Sequence, residues 1–422
     1  MMRPSRRHFG GAVTALMSLA WLAFGADAPP KEWIEPATGH RVVRLSQEPG
    51  TSSFYFHQNG YTASGDKLVV GTRDGLAAID LKTREISPVV TGRAGNVVVG
   101  GKTRQVFYTR DGSIYATHLD TRATREVIKL PAEMRGASGL ALNADETVLA
   151  GSYVAGSRPT NAPSASTRTG GQEGGLEARW ALHLPMRLYL VNIQSGELKS
   201  FHPSTNWLNH VQFSPADPRL LMFCHEGPWH KVDRIWTIRT GADDAHLMHP
   251  RTMENEIAGH EFFSRDGQWI WYDLQTPRSK EFWLAAVNVE SGERIRYPIE
   301  RSQWSVHFNI SWDGKLFAGD GGGPNSVANL TPLPERRKLD PPAHGQWIYL
   351  FKPRPGEFET ITVGGEKIKV GKLDEEKLVD LSRHDYRLEP NVAFTPDGQW
   401  IVFRSNMHGA THTYAVEIAK TR

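Results

Sequence analysis

A single short pattern recurs along most of this chain and constrains its fold more than any other feature. An apolar residue is followed by Ser, Thr or Asn, then by a turn carrying Asp, often as Asp-Gly, and then by a β run. The clearest copies are Phe263-Ser264-Arg265-Asp266-Gly267, Ile310-Ser311-Trp312-Asp313-Gly314 and Phe394-Thr395-Pro396-Asp397-Gly398. Others read Tyr61-Thr62-Ala63-Ser64-Gly65-Asp66, Leu142-Asn143-Ala144-Asp145 and Phe213-Ser214-Pro215-Ala216-Asp217, with a weaker copy at Gly100-Gly101-Lys102-Thr103. Alternating β residues follow the turns, as in Trp269-Ile270-Trp271-Tyr272 and Trp400-Ile401-Val402-Phe403. A further strand with a Ser-Gly hairpin comes next, at 188–192 with Ser195-Gly196 and at 283–287 with Ser291-Gly292. Asp-Gly and Ser-Gly suit tight turns because Gly takes positive φ without a clash. A repeat of roughly 40 to 50 residues built from four short strands is the signature of propeller blades. Seven copies fit the length, so the expected fold is all-β, a seven-bladed β-propeller. The early strand at 41–45 is expected to join the last blade and close the ring, which removes free sheet edges. Residues 156–179 and 321–344, rich in Ser, Thr, Gly, Pro or charge, interrupt the rhythm and read as long loops on one face.

The propeller is expected to occupy residues 29–422. Residues 1–28 read instead as an export signal: Arg3, Arg6 and Arg7 precede a mostly apolar, uncharged stretch at 13–24, and Ala26-Asp27-Ala28 offers a small-x-small cleavage site. Ser5-Arg6-Arg7-His8-Phe9 is similar to a twin-arginine signal. The expected location is therefore periplasmic or cell-surface, with no stable membrane insertion once the signal is removed, because the apolar run is short for a span. Losing three arginines and one aspartate lowers the formal charge from +3 to about +1, too weak a field for nucleic acid to be the main partner. Cys224 is the only cysteine, so no intramolecular disulfide forms and thiolate zinc sites are excluded.

Three positions before the apolar residue of each turn stand His210, His260 and His307 in consecutive blades, and Asn391 in the last. Matching positions on innermost strands point in similar directions, so these four side chains are expected to converge near the central channel. Three imidazoles and an amide are ligand types for a divalent cation, or for a cation beside a base. The bland alternative is a polar channel bonded to water. The cluster His225-Glu226-Gly227-Pro228-Trp229-His230, leading to Asp233-Arg234 and Ile235-Trp236, offers cations and an aromatic platform for a sugar, or is simply a structured hairpin. Arg187 opens a strand after the first long loop, and His384 precedes the last inner strand. Both are candidates for the channel mouth. Nucleophile-elbow, Walker and dinucleotide motifs are missing.

The run from His210 to Pro215, then Cys224-His225-Glu226-Gly227-Pro228-Trp229 and Asp233-Arg234-Ile235-Trp236, resembles the oligogalacturonate lyases. Gly259-His260-Glu261-Phe262-Phe263-Ser264, Ala318-Gly319-Asp320-Gly321 and Leu388-Glu389-Pro390-Asn391-Val392 agree with it. The resemblance covers most of residues 29–422 and is strongest from about residue 205. It implies a seven-bladed propeller that cleaves short acidic oligosaccharides, the oligogalacturonides, by β-elimination with a Mn²⁺-type ion in the channel. It further implies His210 as general base, Arg187 as catalytic arginine and His260 as a metal ligand. The repeat register, apart from the resemblance, makes His307 and Asn391 candidate further ligands, and the segments that hold them make His225, His230, Arg234 and His384 candidate substrate contacts. One departure stands out: the family's Gln-Glu-Pro-His-x-His reads Leu388-Glu389-Pro390-Asn391-Val392-Ala393 here. Either Asn391 and His307 rebuild the metal site, or metal binding is weak, or the chain is a diverged paralogue.

The implied chemistry has a simple physical basis. The C5 proton of a uronate lies α to a carboxylate and is weakly acidic. A divalent cation on that carboxylate favours the negative charge that develops there. A neutral imidazole then removes the proton, an arginine pairs with the carboxylate, and the group on C4 departs without water. A binding or sensor propeller that keeps the sugar pocket but lacks the chemistry is the alternative. A generic interaction scaffold leaves the three registered histidines unexplained.

Overall fold

Each repeat turn is locked by its own side chains. Ser264 Oγ donates to Asp266 Oδ1 (2.5 Å) and accepts the Trp269 N–H (3.0 Å). Ser311 does the same with Asp313 (2.6 Å) and Leu316 (3.0 Å), and Thr395 with Asp397 (2.5 Å) and Trp400 (3.1 Å). The glycine that follows has φ of +70°, +73° and +68° in these three turns, a region where a Cβ is strained. The turn therefore returns the chain antiparallel at a defined register, and a blade follows.

In the computed structural model the described residues are 29–134, 136–156, 171–323 and 346–420. The expected export signal at 1–28 lies outside them, as does most of both loop segments. Lys31–Arg422 forms one body, a seven-bladed β-propeller. Blade 1 holds strands Lys67–Thr72, Gly75–Asp80 and Ile86–Thr91, and blade 2 runs from Gly95–Gly100 to Thr124–Lys129. Blade 3 runs from Ser138–Leu142 to Leu198–Ser204, blade 4 from Trp207–Phe213 to His246–Leu247. Blade 5 runs from Ile257–Phe263 to Arg294–Ile299, and blade 6 from Phe308–Ile310 to Leu373–Asp380. Blade 7 combines Ala393–Phe394, Trp400–Ser405 and His412–Lys420 with His40–Arg44, which pairs Val42 with Val416 and Val43 with Ala415. The ring thus closes as expected. Aromatic side chains fill the gaps between blades, with Phe282, Trp304, Phe317, Tyr349 and Phe351 buried in one cluster between blades 5 and 6.

Two features depart from expectation. The first interruption is not all loop, since Gly171–Trp180 is an α-helix whose Arg179 guanidinium lies 4.8 Å from the Trp207 ring centre. Blade 6 also sends a hairpin, Glu359–Val363 and Glu366–Val370, onto the outer edge of blade 5, where Arg294 pairs in parallel with Ile368. No described helix is long and apolar enough to cross a membrane.

The inner strands position the site. Counting back three residues from the apolar turn residue gives Gln58, Asn96, Gly139, His210, His260, His307 and Asn391 around the ring. Five of them adopt left-handed backbone, with φ of +45°, +71°, +46°, +47° and +54° at Asn96, Gly139, His210, His260 and Asn391. At the first four the ladder breaks register, between Gly95 and Val98, Ser138 and Ala141, Asn209 and Gln212, and Gly259 and Phe262. A bulge there re-aims one side chain out of the strand's alternation. For histidine that backbone costs about 1–2 kcal/mol.

Blade 1 lacks a regular inner strand. Only the bridges Ser52–Gly71 and Tyr61–Leu68 join that stretch to its neighbour, and between them the chain leaves the ladder. Its course is set by two asparagines: Phe56 donates its N–H to Asn391 Oδ1 (3.0 Å), and its carbonyl accepts from Asn309 Nδ2 (2.8 Å). Tyr55 and His57 flank this clamp.

Ring closure carries an acid-sensitive contact. Glu376 in blade 6 accepts from Lys420 (2.9 Å) and Lys352 (3.2 Å) and stands 3.2 Å from His40 Nε2. Burial alone raises its pKa, but the lysines prevail and hold it at about 2. Because the folded value is depressed, this contact contributes fully above about pH 4.5 and is lost as pH falls towards 2. Glu376→Gln is expected to lower stability at pH 7 by about 1 kcal/mol or less, given its partial exposure, and to flatten the acid limb of a melting-temperature profile between pH 5 and 3. An unchanged acid limb would count against the assignment.

Candidate active site

At the centre of the ring, His260 and His307 meet edge to face with ring centroids 4.7 Å apart. Each is oriented by a buried aspartate of its own blade, Asp273 on the next strand and Asp320 just past the end of it. His260 Nδ1 lies 2.6 Å from Asp273 Oδ1, and His307 Nδ1 lies 2.7 Å from Asp320 Oδ2. A carboxylate holding Nδ1–H leaves the Nε2 lone pair free, the arrangement found behind metal-bound histidines. His307 Nε2 is buried without a hydrogen-bond partner among the described residues, with Glu389 Oε2 3.8 Å away. Burial alone depresses the pKa of His260, but Asp273 more than offsets this and makes the ring more basic than usual. Asp320 also accepts the backbone N–H groups of His307 (2.8 Å) and Asn391 (3.0 Å), tying blades 6 and 7 together.

His210 is held the other way round. Its Nε2 lies 3.3 Å from Glu226 Oε2. Burial by itself raises the Glu226 pKa, but Arg234 and His210 hold the group well below the usual carboxylate range. An ionised Glu226 accepts Nε2–H, so the free lone pair of His210 is on Nδ1. Arg234 is the hub of this side: Nη1 donates to Glu226 Oε1 (2.6 Å) and Nε to Glu261 Oε2 (2.9 Å), with all three groups buried. Cys224 lies behind them, and burial pushes its thiol up.

The clamped segment of blade 1 completes the cluster. The Tyr55 ring is 5.9 Å from His210 and 5.1 Å from His307, and Phe56 stacks on His307 at 4.8 Å. Burial raises the Tyr55 pKa well above 10, aided by Glu389 and offset in part by Arg234. His57 is 5.2 Å from Tyr55. Burial first, then the neighbouring His210, push its pKa down to about 3, so it is neutral at physiological pH.

The structure therefore brings His210, His260, His307 and Arg234 together. It gives other expected residues different surroundings. Asn391 is spent on backbone: its oxygen accepts from Phe56 and its Nδ2 donates to Glu389 O (3.0 Å), so Glu389 rather than Asn391 offers free oxygens beside His307. His384 uses both ring nitrogens, on Ser405 Oγ (2.9 Å) and Leu388 O (2.6 Å), and locks the loop before Glu389. His225 points to the opposite face of its strand from Glu226 and packs on Trp236 at 4.6 Å. His230 lies in the following turn, where its carbonyl accepts from Arg251. Arg187 is on the third strand of blade 3, opposite Tyr153, and forms no hydrogen bond or ion pair with a described residue. Sequence reasoning missed Tyr55, His57, Glu226 and Glu261 as members of the cluster. The aromatic run Phe54-Tyr55-Phe56-His57, directly before the ring position Gln58, was the available signal for the first two.

Among the described residues, His210, Cys224 and Glu226 also place donor atoms within 4.8 Å of one another. Glu226 is already committed to Arg234 and Asn209, however, and the thiol stays protonated. The pair His260 and His307 fits a divalent ion better.

A propeller with a histidine and carboxylate cluster at its axis is the class of protein this geometry defines. The family model described as oligogalacturonate lyase matches residues 31–421, and the chain belongs to the oligogalacturonate lyase family. Similar proteins include an oligogalacturonide lyase of Pectobacterium atrosepticum, 23% identical over 399 residues, which covers 91% of this chain and 95% of the relative. An oligogalacturonate lyase of Dickeya dadantii is 23% identical over 395 residues, with the same coverage. Among solved structures, an oligogalacturonate lyase in complex with manganese superposes with a TM-score of 0.72 at 22% identity, covering 92% of this chain and 96% of the other. One from Vibrio parahaemolyticus gives 0.74 at 21%, with the same coverage.

Arg234→Met leaves Glu226 and Glu261 buried without a cation. Breaking a buried pair this way is expected to cost about 3–5 kcal/mol, read as a large fall in denaturant midpoint. A midpoint equal to that of the unaltered protein would contradict the hub role.

Proposed function

We propose that this protein is a lyase that cleaves short oligogalacturonides, or closely related uronides, by β-elimination to 4,5-unsaturated products, with His210 as the general base. The observation that carries the reading is the opposed orientation of the histidines: His210 keeps Nδ1 free, while His260 and His307 keep Nε2 free, all at one axis. The first has the set-up of a base and the other two that of metal ligands. Family membership and the names of the relatives support the substrate class.

His260, His307 and Glu389 would hold a divalent cation, and the manganese complex of a solved relative supports Mn²⁺. Such an ion supplies positive charge for the uronate carboxylate while the C5 proton leaves. The chain's own residues do the rest. His210 Nδ1 takes the proton, and Glu226, held by Arg234, stabilises the imidazolium that forms. The two buried aspartates keep the ligand rings from turning. Arg187, on the third strand of blade 3, would pair with the uronate carboxylate through its planar guanidinium. Export to the periplasm or cell surface is part of the reading, supported by the basic and then apolar character of residues 1–28.

Mixed with oligogalacturonides and Mn²⁺, the protein is expected to raise absorbance near 235 nm, where conjugated unsaturated uronates absorb by general organic chemistry, and to lose the rise on chelation. His210→Ala is expected to abolish it while substrate still binds in calorimetry. No rise with folded, metal-loaded protein would sink the lyase reading and favour a sugar-binding propeller, which the substitutions at Leu388, Asn391 and Ala393 would then explain. His260→Ala is expected to lower bound manganese at least tenfold in elemental analysis, and unchanged content would remove it from the ligands.

A further inference from the structure

We propose that the Tyr55 hydroxyl is the proton donor of this elimination, passing its hydrogen to the oxygen that leaves C4. The proposal rests on the lyase reading above and adds its second half. Elimination moves two protons, one off C5 and one onto the leaving oxygen. After the first step His210 carries hydrogen on both nitrogens, with Nε2–H held by Glu226, and its Nδ1 faces the carbon it has just deprotonated.

The other donors at the axis are committed. The Nδ1 atoms of His260 and His307 are held by Asp273 and Asp320. Arg234 is divided between Glu226 and Glu261, and the Asn391 amide donates to Glu389 O. His57 lines the turn end of the channel, in a cavity of about 390 Å³ bounded by Gln58, Gln212 and Arg265. Tyr55 is left. Its hydroxyl forms no hydrogen bond with a described residue, and its ring centre lies 5.9 Å from that of His210 and 5.1 Å from that of His307.

Tyr55 is also held in place more firmly than a loop residue usually is. Its N–H donates to Gln58 Oε1 (3.2 Å), its carbonyl accepts the Gln58 N–H (2.8 Å), and the next residue is fixed on both sides by Asn391 and Asn309. Donor and base are thus neighbours, and the segment that carries the donor has little freedom to drift, which is what proton transfer to a departing group requires.

The step balances. His210 takes the C5 proton, and the C–H electron pair is held next to the carboxylate. That pair then forms the C4–C5 double bond as the C4–O bond breaks, its electrons leaving with oxygen, and the oxygen takes the Tyr55 proton. The proton on His210 returns through solvent to the phenolate, and nothing is oxidised or reduced.

The test uses the full chain loaded with Mn²⁺ and digalacturonate in D₂O, following unsaturated product at 235 nm and deuterium at C5 by NMR. Tyr55→Phe is expected to lower kcat for elimination about 100-fold or more, with KM, manganese content and melting temperature unchanged, while deuterium still enters C5. His210→Ala is expected to lose both signals. Elimination by Tyr55→Phe within threefold of the unaltered protein would overturn the proposal, as would loss of C5 exchange along with elimination. An unaltered protein that eliminates nothing would overturn the lyase reading itself, which is a different result from either.

Discussion

A closed ring of seven blades brings one position of every inner strand to a common axis, and this geometric constraint governs the rest of the molecule. At that position the backbone turns left-handed in five blades, an energetic cost that bulky residues rarely accept without a reason. Here it lifts His210 and His260 out of the alternation of their strands and into the channel. His307 reaches the same place from ordinary backbone because Asp320 grips both its N–H and its ring.

Chemistry at the axis then depends on which nitrogen each carboxylate engages. Asp273 lies on the strand after its histidine and Asp320 just past the end of it, and both engage Nδ1. Glu226 is placed likewise but engages Nε2 of His210, because Arg234 pins it from one side and Asn209 from the other. The three histidines look interchangeable in the repeat, and the nitrogen each leaves free differs only through these neighbours. Buried carboxylates without partners would be costly, so Arg234 supports the Glu226 carboxylate that orients His210 as much as it lines the axis.

The local features of the fold were legible in the sequence. Ser-x-Asp-Gly turns are recognisable because their hydrogen bonds lie within six residues, and the closing strand is recognisable because joining it to the last blade removes free sheet edges. Registered histidines followed from the repeat itself. What the sequence hid is what long-range contacts decide. Nothing local shows that Asn391 spends its amide on Phe56, that His384 is consumed by Ser405 and Leu388, or that Arg234 joins Glu226 to Glu261 across two blades. Tyr55 escaped notice because blade 1 abandons its inner strand, so the repeat offers no register for it. Asn391 illustrates both sides: its ring position was readable, whereas its partners were not.

The claim at the centre of this account is that registered inner-strand histidines, each set by its carboxylate, divide into a metal pair and a base. Anomalous diffraction at the manganese edge from crystals soaked in Mn²⁺ tests it most directly. The account predicts a single strong peak within about 2.0–2.3 Å of both His260 Nε2 and His307 Nε2, typical of imidazole and carboxylate coordination, with His210 unligated. A peak beside His210, Cys224 and Glu226, or none at the histidine pair, would contradict it.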